Sequence, residues 1–214
     1  DGEYCVIKNV TIAGNEGMFG IFYGGQDDTH DLVIYNSVIW GNNDYEIVYG
    51  GGSSIPDYGI HVAYSLIEGG ESAIEYEPNT NNGWVASSNV QVYWSSTDIT
   101  SYPYFNDPDN GDYSLSSYSP MIGAGASSYS IDGVTYEAPD TDILGIDRPS
   151  PSGTSPDIGA YESSESAADY NPHKYVATSG SNSNSGVLTD PFLTIQYAID
   201  QAQDDDIIHV AAGT

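Results

Sequence analysis

Short apolar stretches recur along the first part of the chain at a nearly constant step. One series keeps an apolar centre between a polar or aromatic start and a closing glycine: Asn9–Gly14, Asn36–Gly41 and Tyr64–Gly69. A second series runs in step with the first: Ile21–Tyr23, Ile47–Tyr49 and Ile74–Tyr76. The steps are 26 to 28 residues. Short runs rich in Ile, Val and Tyr that end at Gly or Asn are typical of β-strands closed by turns. The pattern therefore predicts two strands per repeat.

A repeat of about 27 residues with short strands indicates a right-handed parallel β-helix, a solenoid in which each coil stacks on the one before it. Equivalent residues of successive coils then lie above one another. The aligned sets are Tyr23, Tyr49 and Tyr76; Ile21, Ile47 and Ile74; and Ile12, Ile39 and Ile67. A weaker further copy aligns Val90–Tyr93 with Ile60–Ala63, which gives about four coils. An antiparallel sandwich is the alternative fold, but it does not require a constant step.

The periodicity stops after Trp94. We predict an all-β chain with parallel β-helix coils over residues 1–94 and a turn-rich closing segment over 95–162. A Ser-rich linker follows over 163–173, and residues 174–214 open the next β-helix unit. That opening segment contains a strand, one short capping α-helix and a first strand over Ile207–Val210.

The capping helix is predicted from its start signals and its apolar spacing. Asp190 is a favourable N-cap and Pro191 a favourable first helical residue. Apolar residues then recur at helical spacing and predict one buried face: Phe192, Ile195, Ile199 and Ala202.

A family resemblance rests on segments from both halves of the chain. Four of them resemble the C-terminal closing part of secreted bacterial right-handed parallel β-helix repeat proteins: Asp107–Leu115, Ser119–Gly125, Gly145–Pro149 and Asp157–Glu162. Three others resemble the opening of the same family: Tyr175–Asn182, Asp190–Ile199 and Asp206–Thr214. The closing part thus precedes the opening part. The resemblance implies a protein that is extracellular or on the cell surface.

Joining Thr214 to Asp1 would place both ends inside one coil. We therefore expect one period of a longer array, in which units are linked covalently or one chain completes the first coil of the next. A partial chain that holds pieces of two domains is the alternative. The residues expected at the assembly contact are Asp1, Tyr4, Val6, Ile207, Val210 and Thr214.

The charge balance excludes several partners. The chain has 31 Asp and Glu against 3 Lys and Arg, so its formal net charge is −28. Nucleic-acid binding needs clustered Lys and Arg, which are missing here. No apolar run approaches the ~20 residues of a membrane-spanning helix, so we expect no membrane insertion. The single cysteine, Cys5, lies in an apolar stretch and is predicted to be buried and unreactive.

Two kinds of ligand are considered. Asp107, Asp109 and Asp112 crowd three carboxylates into one turn, which makes calcium a candidate cofactor and a plain turn the alternative. Trp40, Tyr64 and Tyr93 are candidate contacts for a polysaccharide. The strong acidity fits a high-salt habitat equally well.

Catalysis is weighed because parallel β-helices include polysaccharide lyases and hydrolases. The only candidate cationic bases are Lys8, Lys174 and Arg148, and Arg148 is expected to pair with Asp147 or Asp157 instead. His30, His61, His173 and His209 are scattered, with no pair at metal-ligand spacing. We therefore expect no catalytic residues. The predicted protein is a non-catalytic structural or adhesive module that assembles end to end into a fibre or stalk; the alternative is a polysaccharide-binding or polysaccharide-degrading protein.

Overall fold

Parallel strands dominate the protein. The computed structural model describes residues 4–17, 19–23, 31–49, 59–76, 91–169, 171–203 and 206–213. The chain divides into two compact units, Asp1–Ala168 and Asp169–Thr214. Within the described ranges, the structure is mostly β and contains one α-helix.

Ten strands of the first unit build three parallel sheets. Their bounds are β1 (Cys5–Lys8), β2 (Thr11–Ala13), β3 (Phe19–Tyr23), β4 (Leu32–Tyr35), β5 (Val38–Trp40), β6 (Tyr45–Tyr49), β7 (Gly59–Ala63), β8 (Leu66–Ile67), β9 (Ile74–Tyr76) and β10 (Gln91–Trp94). The sheet orders are β1-β4-β7-β10, β2-β5-β8 and β3-β6-β9. Each of the first three repeats thus adds one strand to every sheet, giving three strands per repeat where the sequence predicted two. The fourth repeat contributes β10 to the first sheet.

The register of these sheets follows the sequence repeat. Parallel pairing places Ile39 between Ile12 and Ile67, and it aligns the other predicted isoleucine set in the same way. The backbones of Tyr23, Tyr49 and Tyr76 are also aligned. The predicted alignments are confirmed, and parallel pairing rules out an antiparallel sandwich for these ten strands.

The weaker fourth copy was aligned incorrectly. Strand β10 pairs Val92 with Ile60 and Tyr93 with His61, two residues away from the predicted alignment. The chain between β9 and β10 is longer than the corresponding earlier connections, so the step lengthens. Because side chains alternate with a period of two, this shift leaves the same residues facing inward.

The turns between strands recur at equivalent positions. Asn9, Asn36 and Tyr64 have φ near +50°, and Gly14, Gly41 and Gly69 have φ from 65° to 73°. Glycine and asparagine adopt this left-handed conformation most easily. This explains why each motif of the first series opens on Asn in two copies and closes on Gly in all three.

The main core lies between the three sheets. Its buried residues are Ile21, Tyr23, Leu32, Ile34, Ile39, Ile47, Ile60, Val62 and Ile67. The burial of Tyr23, and the packing of Tyr49 against this cluster, assign these tyrosines to the core. Cys5, in contrast, is exposed at the start of the outermost strand β1, so the prediction of a buried thiol is wrong. No described strand precedes β1 in its sheet to cover it.

The closing segment packs on the outer faces of the sheets. It contains two antiparallel hairpins: β11 (Phe105–Asp107) with β12 (Asp112–Leu115), and β13 (Ser128–Ile131) with β14 (Val134–Glu137). Phe105, Met121 and Ile158 pack against Val38 and Leu66. The second hairpin covers Val33, Tyr35 and Ala63 through Ile131 and its neighbours.

The second unit is small and holds β15 (His173–Val176), α1 (Ile195–Gln201) and β16 (Ile207–Val210). Strands β15 and β16 are parallel, and the predicted bounds of β16 are confirmed. Val176, Phe192 and Ala198 form its core.

The predicted helix start and apolar face are wrong. The helix begins at Ile195 after the N-cap Thr194, whose hydroxyl accepts from the Tyr197 N–H. Asp190 instead accepts hydrogen bonds from Ser185. Since the helix starts later, Ala198 faces the core while Ile195 and Ile199 are exposed.

Candidate functional site

The predicted assembly residues lie in different surroundings. Asp1 and Thr214 fall outside the described residues. Ile207 and Val210 on β16 are 48% and 54% exposed, so both present apolar surface to solvent. Strand β16 pairs with β15 alone among the described strands.

Tyr4 and Val6 are engaged within their own unit. Both pack against the cluster formed by Val33, Tyr35 and Ile131 under the hairpin β13–β14. The Tyr4 hydroxyl donates to Asp132 Oδ2 at 2.7 Å, and this hydrogen bond raises the pKa of Tyr4 to about 12. The side chains of Tyr4 and Val6 are therefore already packed within their own unit. Strand β1 is the outer described strand of its sheet, so one edge of its backbone has no described partner strand.

The candidate glycan contacts have separate local environments. Trp40 packs edge-on against Tyr102 at 5.7 Å between ring centroids, and Tyr64 packs beside the cluster under the second hairpin. Tyr93 is 49% exposed and stacks flat on His61, with ring centroids 4.3 Å apart. Of the three, Tyr93 therefore presents the most open aromatic surface.

His61 is itself held in place beneath Tyr93. Its Nε2 lies 2.9 Å from Asp31 Oδ2, and the Gly59 N–H donates to Asp31 Oδ1 at 2.6 Å. The stacked pair thus rests on a fixed carboxylate, which orients the exposed ring of Tyr93.

Two of the three predicted calcium ligands, Asp107 and Asp112, accept hydrogen bonds from neighbouring residues. Both carboxylate oxygens of Asp107 accept from Asn110 Nδ2, at 3.0 and 2.8 Å. Asp112 Oδ1 accepts from the Ser114 hydroxyl and N–H, and these hydrogen bonds lower the pKa of Asp112. Across the described part of the chain, no group of three or more His, Cys, Asp or Glu side chains converges on a metal position. The structure does not gather Asp107, Asp109 and Asp112 into one ligand set.

Arg148 makes structural contacts. Its Nη1 lies 3.1 Å from Glu162 Oε2 and donates to the Asp157 carbonyl at 2.8 Å. The expected carboxylate partners Asp147 and Asp157 are wrong: the ion pair is with Glu162, and Asp157 contributes its backbone oxygen. Burial lowers the pKa of Arg148, and the neighbouring carboxylates oppose that effect.

The two lysines considered as bases also have partners. Lys8 Nζ donates to the Glu137 carbonyl at 2.6 Å. Lys174 Nζ donates to the Asn171 carbonyl at 2.8 Å and lies 3.5 Å from Asp206 Oδ2.

An acidic pocket of about 390 Å³ was missed by the sequence analysis. Asp44, Glu46, Glu68 and Glu75 are among its lining residues. Glu46 is 5% exposed and accepts from the Asn42 N–H at 3.0 Å. Burial, together with a hydrogen bond to the Glu68 carboxyl group, raises the pKa of Glu46 to about 7. Glu46, an acid in an otherwise apolar strand, was the available sequence signal.

Two histidines that looked unrelated in sequence meet in the second unit. His173 Nδ1 lies 2.9 Å from His209 Nε2. Thirty-six residues separate them along the chain, and the parallel pairing of β15 with β16 brings them together.

Comparison with protein-family models, with curated proteins and with solved structures gave no match. The family resemblance drawn from the sequence therefore stays a prediction. The described helices include none with the length and apolar character needed to cross a membrane.

Proposed function

We propose that the first unit is a right-handed parallel β-helix and that the chain is a non-catalytic, extracellular structural module. In this proposal, copies join end to end through open strand edges and form a fibre or stalk. The in-register parallel pairing of β1 to β9 at steps of 26 to 28 residues supports the solenoid, and β10 continues the first sheet at a longer step.

The assembly proposal rests on the unpaired edge and the exposed apolar side chains of β16. This strand has one described partner, and its Ile207 and Val210 expose apolar side chains next to the unpaired backbone edge. An edge strand with exposed N–H and C=O groups is a template for strand addition. A second strand would satisfy these groups and bury both side chains.

Strand β1 is the matching edge on another copy. Like β16 it has four residues, and it pairs with β4 alone among the described strands. In this proposal, β16 of one copy pairs in parallel with β1 of the next and continues the sheet β1-β4-β7-β10. The net charge of −28 opposes the approach of two copies, so assembly should strengthen as salt screens the repulsion.

Sedimentation velocity of the whole chain, over a range of concentrations and salt, tests the proposal. We expect larger species at high concentration and high salt, with elongated particles in electron micrographs. Val210→Lys should abolish them, because it places a charge on the proposed contact. Ile143→Lys is the matched control, since Ile143 is 68% exposed on the other unit. A chain that is monomeric under every condition, or equal effects of both variants, would overturn the proposal.

A polysaccharide-binding function is the second candidate, and Tyr93 favours it. The half-exposed ring of Tyr93 is fixed from below by His61 and lies near polar Gln91. A rigid aromatic face beside hydrogen-bonding groups suits a sugar ring. Binding to a panel of polysaccharides that is lost in Tyr93→Ala, and kept in the control Tyr118→Ala, would support this candidate.

A further inference from the structure

The pair His173–His209 lies on one face of the two-stranded sheet in the second unit. The register places Tyr175 opposite His209 and His173 opposite Ile207. Because side chains alternate along a strand, His173, Tyr175 and His209 project on the same side. Both imidazoles are partly exposed, so a small solute can reach them from solvent.

Neighbouring groups hold this pair in position. The Tyr175 ring stacks on His209 with centroids 4.5 Å apart and planes 12° apart. The His173 backbone N–H donates to Asn171 Oδ1 at 2.9 Å, which fixes the start of β15. Ligands restrained in this way lose little conformational freedom when an ion binds.

We propose that His173 Nδ1 and His209 Nε2 bind one divalent transition-metal ion of the Zn²⁺, Cu²⁺ or Ni²⁺ class. Metal–nitrogen bonds of about 2.0–2.1 Å place two ligand nitrogens of a tetrahedral site roughly 3.3 Å apart. The observed separation is 2.9 Å, so a small rotation of the two rings makes room for the ion. The hydrogen now shared between the rings moves to a ring nitrogen that does not bind the metal.

The chemistry of the donors sets the selectivity of this site. Imidazole nitrogen suits Zn²⁺, Cu²⁺ and Ni²⁺, whereas Mg²⁺ and Ca²⁺ prefer oxygen ligands. The described residues add no third His, Cys, Asp or Glu to the pair, so water fills the remaining positions. The net charge of −28 raises the local concentration of divalent cations around the protein.

The test is a Zn²⁺ titration of the whole chain against a chromophoric chelator, with Mg²⁺ in excess to saturate the carboxylates. We expect one equivalent of Zn²⁺ to bind. His173→Gln and His209→Gln should each weaken that binding on the order of tenfold or more, since even residues that only support a ligand cost 10–100-fold. His61→Gln is the matched control, because His61 also stacks on a tyrosine and no second histidine of the described ranges contacts its ring.

Two further measurements use the unaltered chain, so they test the site even if a variant disturbs the fold. Cu²⁺ bound to the unaltered chain should show hyperfine coupling to two imidazole nitrogens in its electron paramagnetic resonance spectrum. Acidification should release the ion, because only neutral imidazoles bind metals. Zn²⁺ binding that excess Mg²⁺ removes, or that falls equally in His61→Gln, would overturn the proposal and assign the binding to surface carboxylates.

Discussion

Strands β4 and β16 are both short and apolar, yet their surroundings differ completely. All four residues of β4, Leu32 to Tyr35, are fully buried, because β1 and β7 flank the strand and side chains cover both of its faces. Strand β16 has one described neighbour and exposes Ile207 and Val210. For these two strands, burial thus follows from flanking strands and covered faces and not from residue type.

The largest difference between the two strands should appear in core truncations. Ile34→Ala on β4 should lower the free energy of unfolding by about 3 kcal/mol, since a fully buried isoleucine leaves a cavity. Ile207→Ala on β16 should change it by about 0.5 kcal/mol or less. Urea denaturation of dilute protein, where copies are separate, measures both. Equal effects would show that the two strands are covered to the same extent.

A smaller effect is expected at the turn that follows β4. The Asn36 side chain donates to the Ala126 carbonyl at 2.6 Å and accepts from the Ala126 N–H at 2.9 Å. Asn36→Ala removes both bonds and puts alanine at φ 50°, so we expect a loss of about 2 kcal/mol. Asn106→Ala, at an exposed hairpin position, is the control and should cost under about 0.5 kcal/mol. Thermal unfolding of the two variants gives the comparison.

The smallest expected effect is a pH dependence of the folding stability that arises from Glu46 in the acidic pocket beside β6. Because the folded-state pKa of Glu46 is about 7, above its usual 4.5, the folded chain holds this proton more tightly than the unfolded chain does. The stability that the protonated Glu46 contributes is present below pH 4.5 and is lost as the pH rises to about 7. Asp98 and Asp157, whose pKa values burial raises to about 6, act in the same direction.

Glu46→Gln imitates the protonated side chain and should stabilise the protein by about 1–2 kcal/mol at pH 8, with no gain at pH 4. Glu165→Gln, at an exposed position, is the matched control for removing one negative charge. Denaturation curves at both pH values test this, and a gain that is equal at the two values would contradict the assignment.

The repeat could be predicted from the sequence because apolar and polar residues alternate along each strand and the strands recur at a nearly constant step. The pairing of Ile12, Ile39 and Ile67 follows from that repeat alone. The bounds of β16 were predicted from a short apolar run that follows an Asp-rich turn. The third strand of each repeat was missed, because only two residues separate β1 from β2 and the two apolar runs merge.

The features without a period could not be predicted. His173 meets His209 across an irregular segment whose path no repeat fixes, and the partner of Arg148 depends on how the closing segment folds. The predicted helix start was wrong for a related reason. Asp190 is a favourable N-cap residue, but its carboxylate accepts a hydrogen bond from the Ser185 N–H instead. Tertiary contacts decided each of these cases.

The left-handed corners at Asn9, Asn36 and Tyr64 recur at steps of 27 and 28 residues and divide the first unit into segments of nearly equal length. Successive segments meet through parallel backbone pairing. Serine hydroxyls add to it, since Ser37 Oγ accepts from the Val10 N–H and Ser65 Oγ from the Ser37 N–H. Duplicating one segment between two such corners should lengthen every sheet by a single strand, about 4.8 Å. Under the proposed solenoid, the number of repeats encoded by the gene would set the length of the first unit in whole strand spacings.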